Sequence, residues 1–319
     1  MICDNKPKVI AVVGPTASGK TRLSVEIAKS FNGEVISSDS MQIYKGMDIA
    51  TAKPTTDEMQ GIKHHLVDFL PADEVFSVAS FVTMAKEAVD DIVSRGKLPV
   101  IAGGTGLYTD NLLSGTVFTE GETDFKLRNE LICRCEQEGL DSLLDELKVV
   151  DAVSYEKLKT QRNPKRVIRA LEIYKSTGIT MTEQNELSKP AEKPYYYVKI
   201  GLDFKDRQKL YDRINLRVDL MLEAGLLAEA EAFFKSKVSN TAVQAIGYKE
   251  LAPYFEGDAS LSDSIESLKQ ATRRYAKRQL TWFRRDKSTN WFFVDEYENA
   301  DDLTSAVTVF LNSKGFDLK

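Results

Sequence analysis

The chain has 319 residues, 42% apolar and 29% charged, which suits one large soluble globular domain or a domain carrying an insertion. Its 43 basic residues fall short of its 48 acidic ones, a net charge of −5, so no global basic field advertises a nucleic-acid binder and any such surface must be local. No apolar run reaches membrane-spanning length and Met1 to Lys8 lacks a signal-peptide core, so a cytoplasmic protein without a membrane partner is expected.

Val9 to Val13 reads as a buried strand, and a helix follows over about 20–30 with Leu23, Ile27 and Ala28 on one face. Between them lies Gly14-Pro15-Thr16-Ala17-Ser18-Gly19-Lys20-Thr21, the G-x-x-x-x-G-K-[ST] pattern. In a strand–loop–helix context that pattern is a phosphate cradle. Glycines let successive N–H groups turn toward one anion, and the helix aims its positive dipole end at it. Lys20 adds a point charge, and the Thr21 hydroxyl is placed to ligate magnesium.

Glu34 to Ser37 reads as a short buried strand ending in Ser38-Asp39-Ser40, followed by a polar loop to Pro54 and a weak strand at His65-Leu66-Val67. Ser77 to Arg95 is a long amphipathic helix stopped by Gly96, and Leu98 to Ala102 is another buried strand that Gly103-Gly104-Thr105-Gly106 turns into a helix. Alternating strand and helix predicts an α/β fold with a parallel, doubly wound sheet, whose ligand lies outside the carboxyl ends of its strands. The phosphate loop, Asp39 and Thr105 all sit at such ends. From about 116 to 194 the pattern changes to short helices without strands, read as a helical insertion; 1–115 and 195–319 then form the core. A returning strand (Tyr195 to Leu202), helices over 206–285, a last strand (Trp291 to Val294) and a closing helix (Leu303 to Asn312) complete the chain.

Asp39 could hold magnesium through water or act as a general base beside the bound phosphate; an ordinary turn aspartate is the bland alternative. At 100° per residue, Arg273, Arg274, Lys277, Arg278, Arg284 and Arg285 fall within an arc of about 140°, opposite Ile265, Leu268, Tyr275, Ala276, Trp282 and Phe283. No acid interrupts the stretch between Glu266 and Asp286, so a polyanion-binding helix is expected. Arg162, Lys165, Arg166 and Arg169 form a second basic group. Cys3, Cys133 and Cys135 are too few for a disulfide framework, and with the last two spaced C-x-C far from His64 and His65 no zinc site is expected. The two histidines are assigned structural roles, and Tyr195, Tyr196 and Tyr197 fit core and surface better than base stacking. Gln244 to Glu250 has no mechanism that composition reveals.

Several blocks together resemble the bacterial tRNA dimethylallyltransferases: G-P-T-A-S-G-K-T (Gly14 to Thr21), S-S-D-S-M-Q-I-Y-K-G-M-D-I-A-T-A-K-P (Ser37 to Pro54), H-H-L-V-D (His64 to Asp68) and G-G-T-G-L-Y (Gly103 to Tyr108). R-V-I-R-A-L-E (Arg166 to Glu172), Q-A-I-G-Y-K-E (Gln244 to Glu250) and A-K-R-Q-L-T-W-F-R-R (Ala276 to Arg285) continue the likeness over nearly the whole chain. The resemblance implies transfer of a dimethylallyl group from dimethylallyl diphosphate to N6 of the adenosine 3′ of the anticodon in tRNA. It implies that Thr16 to Thr21 hold the diphosphate with Mg2+, that Lys20 and Thr16 act on it, and that Asp39 is the general base. Arg213 is the expected second cation, with Arg217 as the other choice. The implied tRNA contacts are Asp39, Ser40, Met41, Gln42, Thr105, Arg128, Lys165, Arg166, Val167, Ile168, Arg169, Gln244, Ala245, Ile246, Gly247, Tyr248 and Lys249. The chain is taken as a monomer. Two rivals remain at this point: a P-loop small-molecule or nucleoside kinase, which leaves the basic helix unexplained, and an RNA-binding NTPase without transfer chemistry.

Overall fold

In the computed structural model, the residues described are 6–118, 124–190, 192–236, 238–239 and 241–317; Cys3 and the first four of Met1 to Lys8 that surround it lie outside them. The elements run β1 (Lys8–Val13), α1 (Lys20–Ser30), β2 (Gly33–Ser37), α2 (Thr56–Met59), β3 (His64–His65), α3 (Val78–Ser94), β4 (Leu98–Gly103) and α4 (Gly106–Ser114). Five helices follow: α5 (Phe125–Glu138), α6 (Leu140–Val150), α7 (Ala152–Gln161), α8 (Pro164–Thr177) and α9 (Met181–Leu187). Then come β5 (Tyr196–Asp203), α10 (Arg207–Glu223), α11 (Leu226–Lys235), α12 (Tyr248–Glu256), α13 (Leu261–Phe283), β6 (Asn290–Phe293) and α14 (Ala300–Ser313).

The sheet is six-stranded in the order β3-β2-β4-β1-β5-β6, and every pairing is parallel. The fold is therefore the α/β, doubly wound sheet expected from the alternation of strand and helix. Strands buried on both faces must be apolar throughout, and β1 from Val9 to Val13 has no exposed surface at all. Helix α1 sets Leu23, Ile27 and Ala28 against Ile10, Val12, Val35 and Val100, and α14 completes that core with Leu303, Val307 and Leu311.

Strand β3 is shorter and earlier than expected. It stops after His65 because Leu66 and Asp68 take left-handed backbone angles (φ 59° and 56°), which no strand continues through. His65 Nε2 donates to the buried Glu34 carboxylate at 2.7 Å, and Arg95 and Lys97 bind the same carboxylate at 2.5–2.8 Å. Three cationic or protonatable partners, Arg95 foremost, hold Glu34 far below the ordinary carboxylate range against the cost of burial.

Glu34 lies 3% exposed in its side chain while Arg95 and Lys97 stay about one-third exposed. Glu34→Gln is therefore expected to destabilise the fold by about 2–3 kcal/mol, less than the ~3–5 of a wholly buried pair because the orphaned cations rehydrate. The sign is fixed by the depressed carboxyl. Its contribution is full above the ordinary carboxylate pKa and is lost as the pH falls toward the folded value. Urea melts of wild type and variant should differ at pH 7 and converge in acid.

The chain divides into two compact units, 1–113 with 194–319 and 114–193. The second is all helical, with Leu131, Leu143, Leu144, Leu147, Val167 and Leu171 in its core. Its α8 starts where Asn163 caps the chain with Pro164 at the first helical position, and ends at Gly178 in the left-handed conformation (φ 74°). Among the described residues no helix is long and apolar enough to cross a membrane.

Candidate active site

Gly14 follows β1 with φ 149°, and a Cβ there would lie 2.6 Å from the Leu202 carbonyl of β5, so the loop leaves the sheet only through glycine. Gly19 (φ 93°) then turns the chain into α1, whose first turn carries no side-chain cap. Its leading N–H groups are the donors that an anion satisfies. Ala17 is held at φ 62°, a strained angle for a residue with a side chain. The Lys20 ammonium donates to the Pro15 carbonyl at 2.7 Å, inside the loop it belongs to.

Burial first, and the neighbouring Arg217 second, lower the Lys20 pKa from 10.5 to about 7, with Asp39 pulling the other way. Arg217 reaches the same place from α10 and donates to the Thr16 hydroxyl at 3.2 Å. Arg213, one turn earlier, is exposed and donates to the Ala17 carbonyl at 2.9 Å on the outside of the loop. Arg217, weighed as the second choice, is thus the cation that faces inward. Two like charges brought together under burial favour an anion between them.

Asp39 follows β2 in a tightly bonded turn. Its Oδ1 accepts the Met41 N–H at 2.9 Å, and the Ser40 N–H donates to the Thr105 hydroxyl at 3.1 Å. Gln279 ties this region to the phosphate loop: its Oε1 accepts the Thr16 N–H at 2.8 Å and its Nε2 donates to the Gly104 carbonyl at 3.1 Å. Gly103 is pressed on Ser38, with an added Cβ 2.5 Å from the Ser38 backbone. Gly103→Ala must shift the 38–40 turn, and a displaced Asp39 is expected to slow turnover on the order of 100-fold. Steady-state rates on a variant whose thermal melt stays near wild type would check this.

These groups line one cavity of about 260 Å³. Thr16, Lys20, Thr21 and Arg217 bring charge and hydroxyls to it; Asp39, Ser40, Met41 and Gln42 enter from the end of β2; Gln244, Ala245, Ile246 and Gly247 enter from the segment before α12, and Lys249 from its first turn. Ile214, Val218, Met221 and Leu268 supply an apolar side. Such a mixture, with charge at one place and an apolar wall beside it, suits a small amphipathic ligand. The Thr21 hydroxyl and the Asp39 carboxylate are hard oxygen donors on that cavity, a set that fits magnesium completed by water and phosphate oxygens. Elsewhere, Glu34, His65 and Asp91 lie close enough to share a metal, but Arg95 and Lys97 already supply the positive charge there.

Several expected residues take other places. Tyr248 is fully buried, stacked on Phe233 at 4.0 Å between ring centroids, so it is a wall support rather than a surface contact. Val167 and Ile168 are buried in the helical unit, which leaves Lys165, Arg166 and Arg169 as the exposed side chains of that segment. In all three, burial turns the side chain inward and leaves the neighbouring positions to face outward. Arg128 donates to the buried Glu172 at 2.9 Å, and Arg169 lies 3.2 Å from the same carboxylate.

The cationic stripe that runs along α13 and past its end to Arg285 is divided. Arg273 donates to Asn215 and Glu266, Arg284 to Asp203, and Arg278 lines the cavity, while Arg274, Lys277 and Arg285 are exposed. Tyr275, placed on the packing side by periodicity, also lines the cavity, where burial and the Asp39 charge raise its phenol far above the ordinary value. His64 lies on the cavity as well: its Nδ1 donates to the Ile62 carbonyl at 2.8 Å, a bond that fixes the Nδ1–H form. Gln279 and the apolar face of α10 are the residues that sequence reading missed. An arginine inside the otherwise apolar 214, 218, 221 face was the available signal.

The sequence pattern of the family described as IPP transferase matches residues 42–286. A tRNA dimethylallyltransferase of Acetivibrio thermocellus is 45% identical over 97% of this chain and 99% of its own length. The crystal structure of a tRNA isopentenylpyrophosphate transferase from Bacillus halodurans superposes with a TM-score of 0.73 at 43% identity, covering 97% of both chains. A eukaryotic dimethylallyltransferase solved acting on tRNA gives a TM-score of 0.80 at 30% identity, over 98% of this chain and 81% of that one.

Proposed function

The chain belongs to the IPP transferase family, and from that premise we propose that the cavity at the phosphate loop carries a dimethylallyl group from diphosphate to an adenine of tRNA. tRNA and dimethylallyl diphosphate are its substrates, and the acceptor is N6 of the adenosine 3′ of the anticodon. The observation that carries this reading is the meeting of Lys20, Arg217 and the glycine-bounded loop with Asp39 on the same cavity.

The diphosphate lies on the loop N–H groups and the start of α1, between Lys20 and Arg217. Arg213 steadies the loop from outside through Ala17. The five-carbon tail lies against Ile214, Val218, Met221 and Leu268. An exocyclic adenine amine is a poor nucleophile, because its lone pair is delocalised into the ring. Its N6 attacks the allylic C1 as the C1–O bond breaks; the electron pair leaves with the diphosphate, and the amine proton passes to the Asp39 carboxylate. Lys20 and Arg217 stabilise the charge that grows on the leaving oxygen. Magnesium, held by Thr21 with the donor's own oxygens, would supply further positive charge to that leaving group.

The acceptor base must leave its stack to reach the cavity. Asp39 to Gln42, Gln244 to Gly247 and Lys249 receive it, with Thr105 bracing Ser40 and Tyr248 supporting that wall from behind. In the helical unit Lys165, Arg166, Arg169 and Arg128 are phosphate contacts, and in the core unit Arg274 and Lys277 of α13 and Arg285 just beyond its end are others. Each group concentrates basic charge within its own unit of a protein whose net charge is −5. The protein works as a cytoplasmic monomer. Kinase activity is not favoured: the relatives that match nearly end to end are transferases of a prenyl group. A coupled assay tests the reading. Diphosphate release should require unmodified tRNA and match prenylated product one for one. Phosphoryl transfer from ATP to tRNA or a nucleoside, without prenylation, would refute it.

A further inference from the structure

Glu229 on α11 gathers four donors on one carboxylate. Its Oε2 accepts the N–H groups of Asp48 (2.8 Å) and Ile49 (2.7 Å), and its Oε1 accepts the Ala50 N–H (2.9 Å) and the Tyr248 hydroxyl (2.8 Å). Three successive backbone N–H groups turned onto a single anion form a nest, and here the anion is a side chain from a distant helix.

The two segments so joined both face the cavity. Ala50, Thr51 and Ala52 line it from one, and Gln244 to Gly247 line it from the other. They also touch directly, since a Cβ on Gly247 would lie 2.8 Å from the Ala50 Cβ. The loop is tied in turn to the Asp39 turn: Gln42 Nε2 donates to the carbonyls of Thr51 (3.3 Å) and Ala52 (3.0 Å), and Asp39 holds Met41. None of Glu229's bonds reaches the phosphate loop.

We propose that Glu229 is the positioning residue of the acceptor side: it holds the 48–52 loop and the 244–247 segment as one wall, against which the adenine is set for Asp39. The inference rests on the reading that this cavity transfers to a tRNA adenine. A carboxylate is required because each oxygen must accept two hydrogen bonds. An amide offers a single acceptor oxygen and would turn its own N–H groups against the nest.

Glu229→Gln and the milder Tyr248→Phe, which keeps the ring stacked on Phe233, separate positioning from folding. For Glu229→Gln, kcat/KM with tRNA varied should fall on the order of 100-fold, while the dissociation constant of dimethylallyl diphosphate, by calorimetry, moves less than about twofold. Tyr248→Phe should lose about tenfold, in the same direction. Equal weakening toward both substrates would mark a general structural role and overturn the proposal, as would an undiminished variant. Wild type run alongside keeps the two readings apart: no prenylation by wild type sinks the function and this role with it, whereas active wild type with an equally active variant sinks only the role of Glu229.

Discussion

Replacing Asp39 is expected to lower kcat by about 10²- to 10⁴-fold, the usual share of a positioned general base. The structure makes the choice of replacement informative. Asp39 accepts the Met41 N–H through Oδ1 and so shapes its own turn. Asp39→Asn keeps an oxygen for that bond but cannot take a proton, whereas Asp39→Ala loses both. If Asp39 is the base, the asparagine variant should be nearly as slow as the alanine variant, with tRNA and donor binding retained. If it only shapes the turn, asparagine should restore most of the rate. Single-turnover measurements with saturating donor separate these outcomes, because they leave product release out of the rate.

Lys20 should carry the second large effect. Removal of one preorganised donor to a developing anion costs about 10²–10³ in rate, and Lys20→Met is expected to fall in that range. It should also show a proton signature. Burial and Arg217 hold the ammonium at about 7, against an ordinary 10.5. A bound diphosphate supplies the missing negative charge and raises that value. Above pH 7 the free protein therefore holds Lys20 largely unprotonated, and donor binding must take up a proton. Well below pH 7 the lysine is already charged and the uptake should vanish. Calorimetry at pH 8 in buffers of different ionisation enthalpy reads the uptake directly, and in Lys20→Met the part due to the lysine should be missing. Uptake unchanged in the variant would place the titrating group elsewhere.

What could be read from the sequence was what depends on neighbours along the chain. The phosphate loop was legible because its glycines, its lysine and the switch from strand to helix lie within a few residues of one another. The parallel sheet was legible for the same reason: buried strands such as Val9 to Val13 are apolar at every position. The early end of β3 was not, since nothing in the composition of His65-Leu66-Val67 announces a left-handed Leu66.

The cavity walls were the least legible part, because they are made by pairs far apart in the chain. Gln279 bonds a Thr16 that lies 263 positions earlier, and Glu229 bonds a loop about 180 positions earlier. The motif from Gln244 to Glu250, opaque by composition, gains its physical reason from Gly247 lying against Ala50 and Tyr248 bonding Glu229. Periodicity likewise placed the α13 arginines on one face but could not tell that Arg273 is spent on Asn215 or that Tyr275 faces the cavity. Helical spacing fixes direction around an axis. It does not say which neighbour stands there.

The central claim is that one cavity holds the diphosphate and presents Asp39 to an adenine amine. Intact-mass and fragment mass spectrometry of unmodified tRNA, incubated with dimethylallyl diphosphate, magnesium and either wild type or Asp39→Asn, tests it most directly. The account predicts a gain of one five-carbon unit with wild type, carried on N6 of the adenosine 3′ of the anticodon, and little or none with the variant in the same time. A unit found on another atom or nucleotide, or equal gain with both proteins, would contradict it.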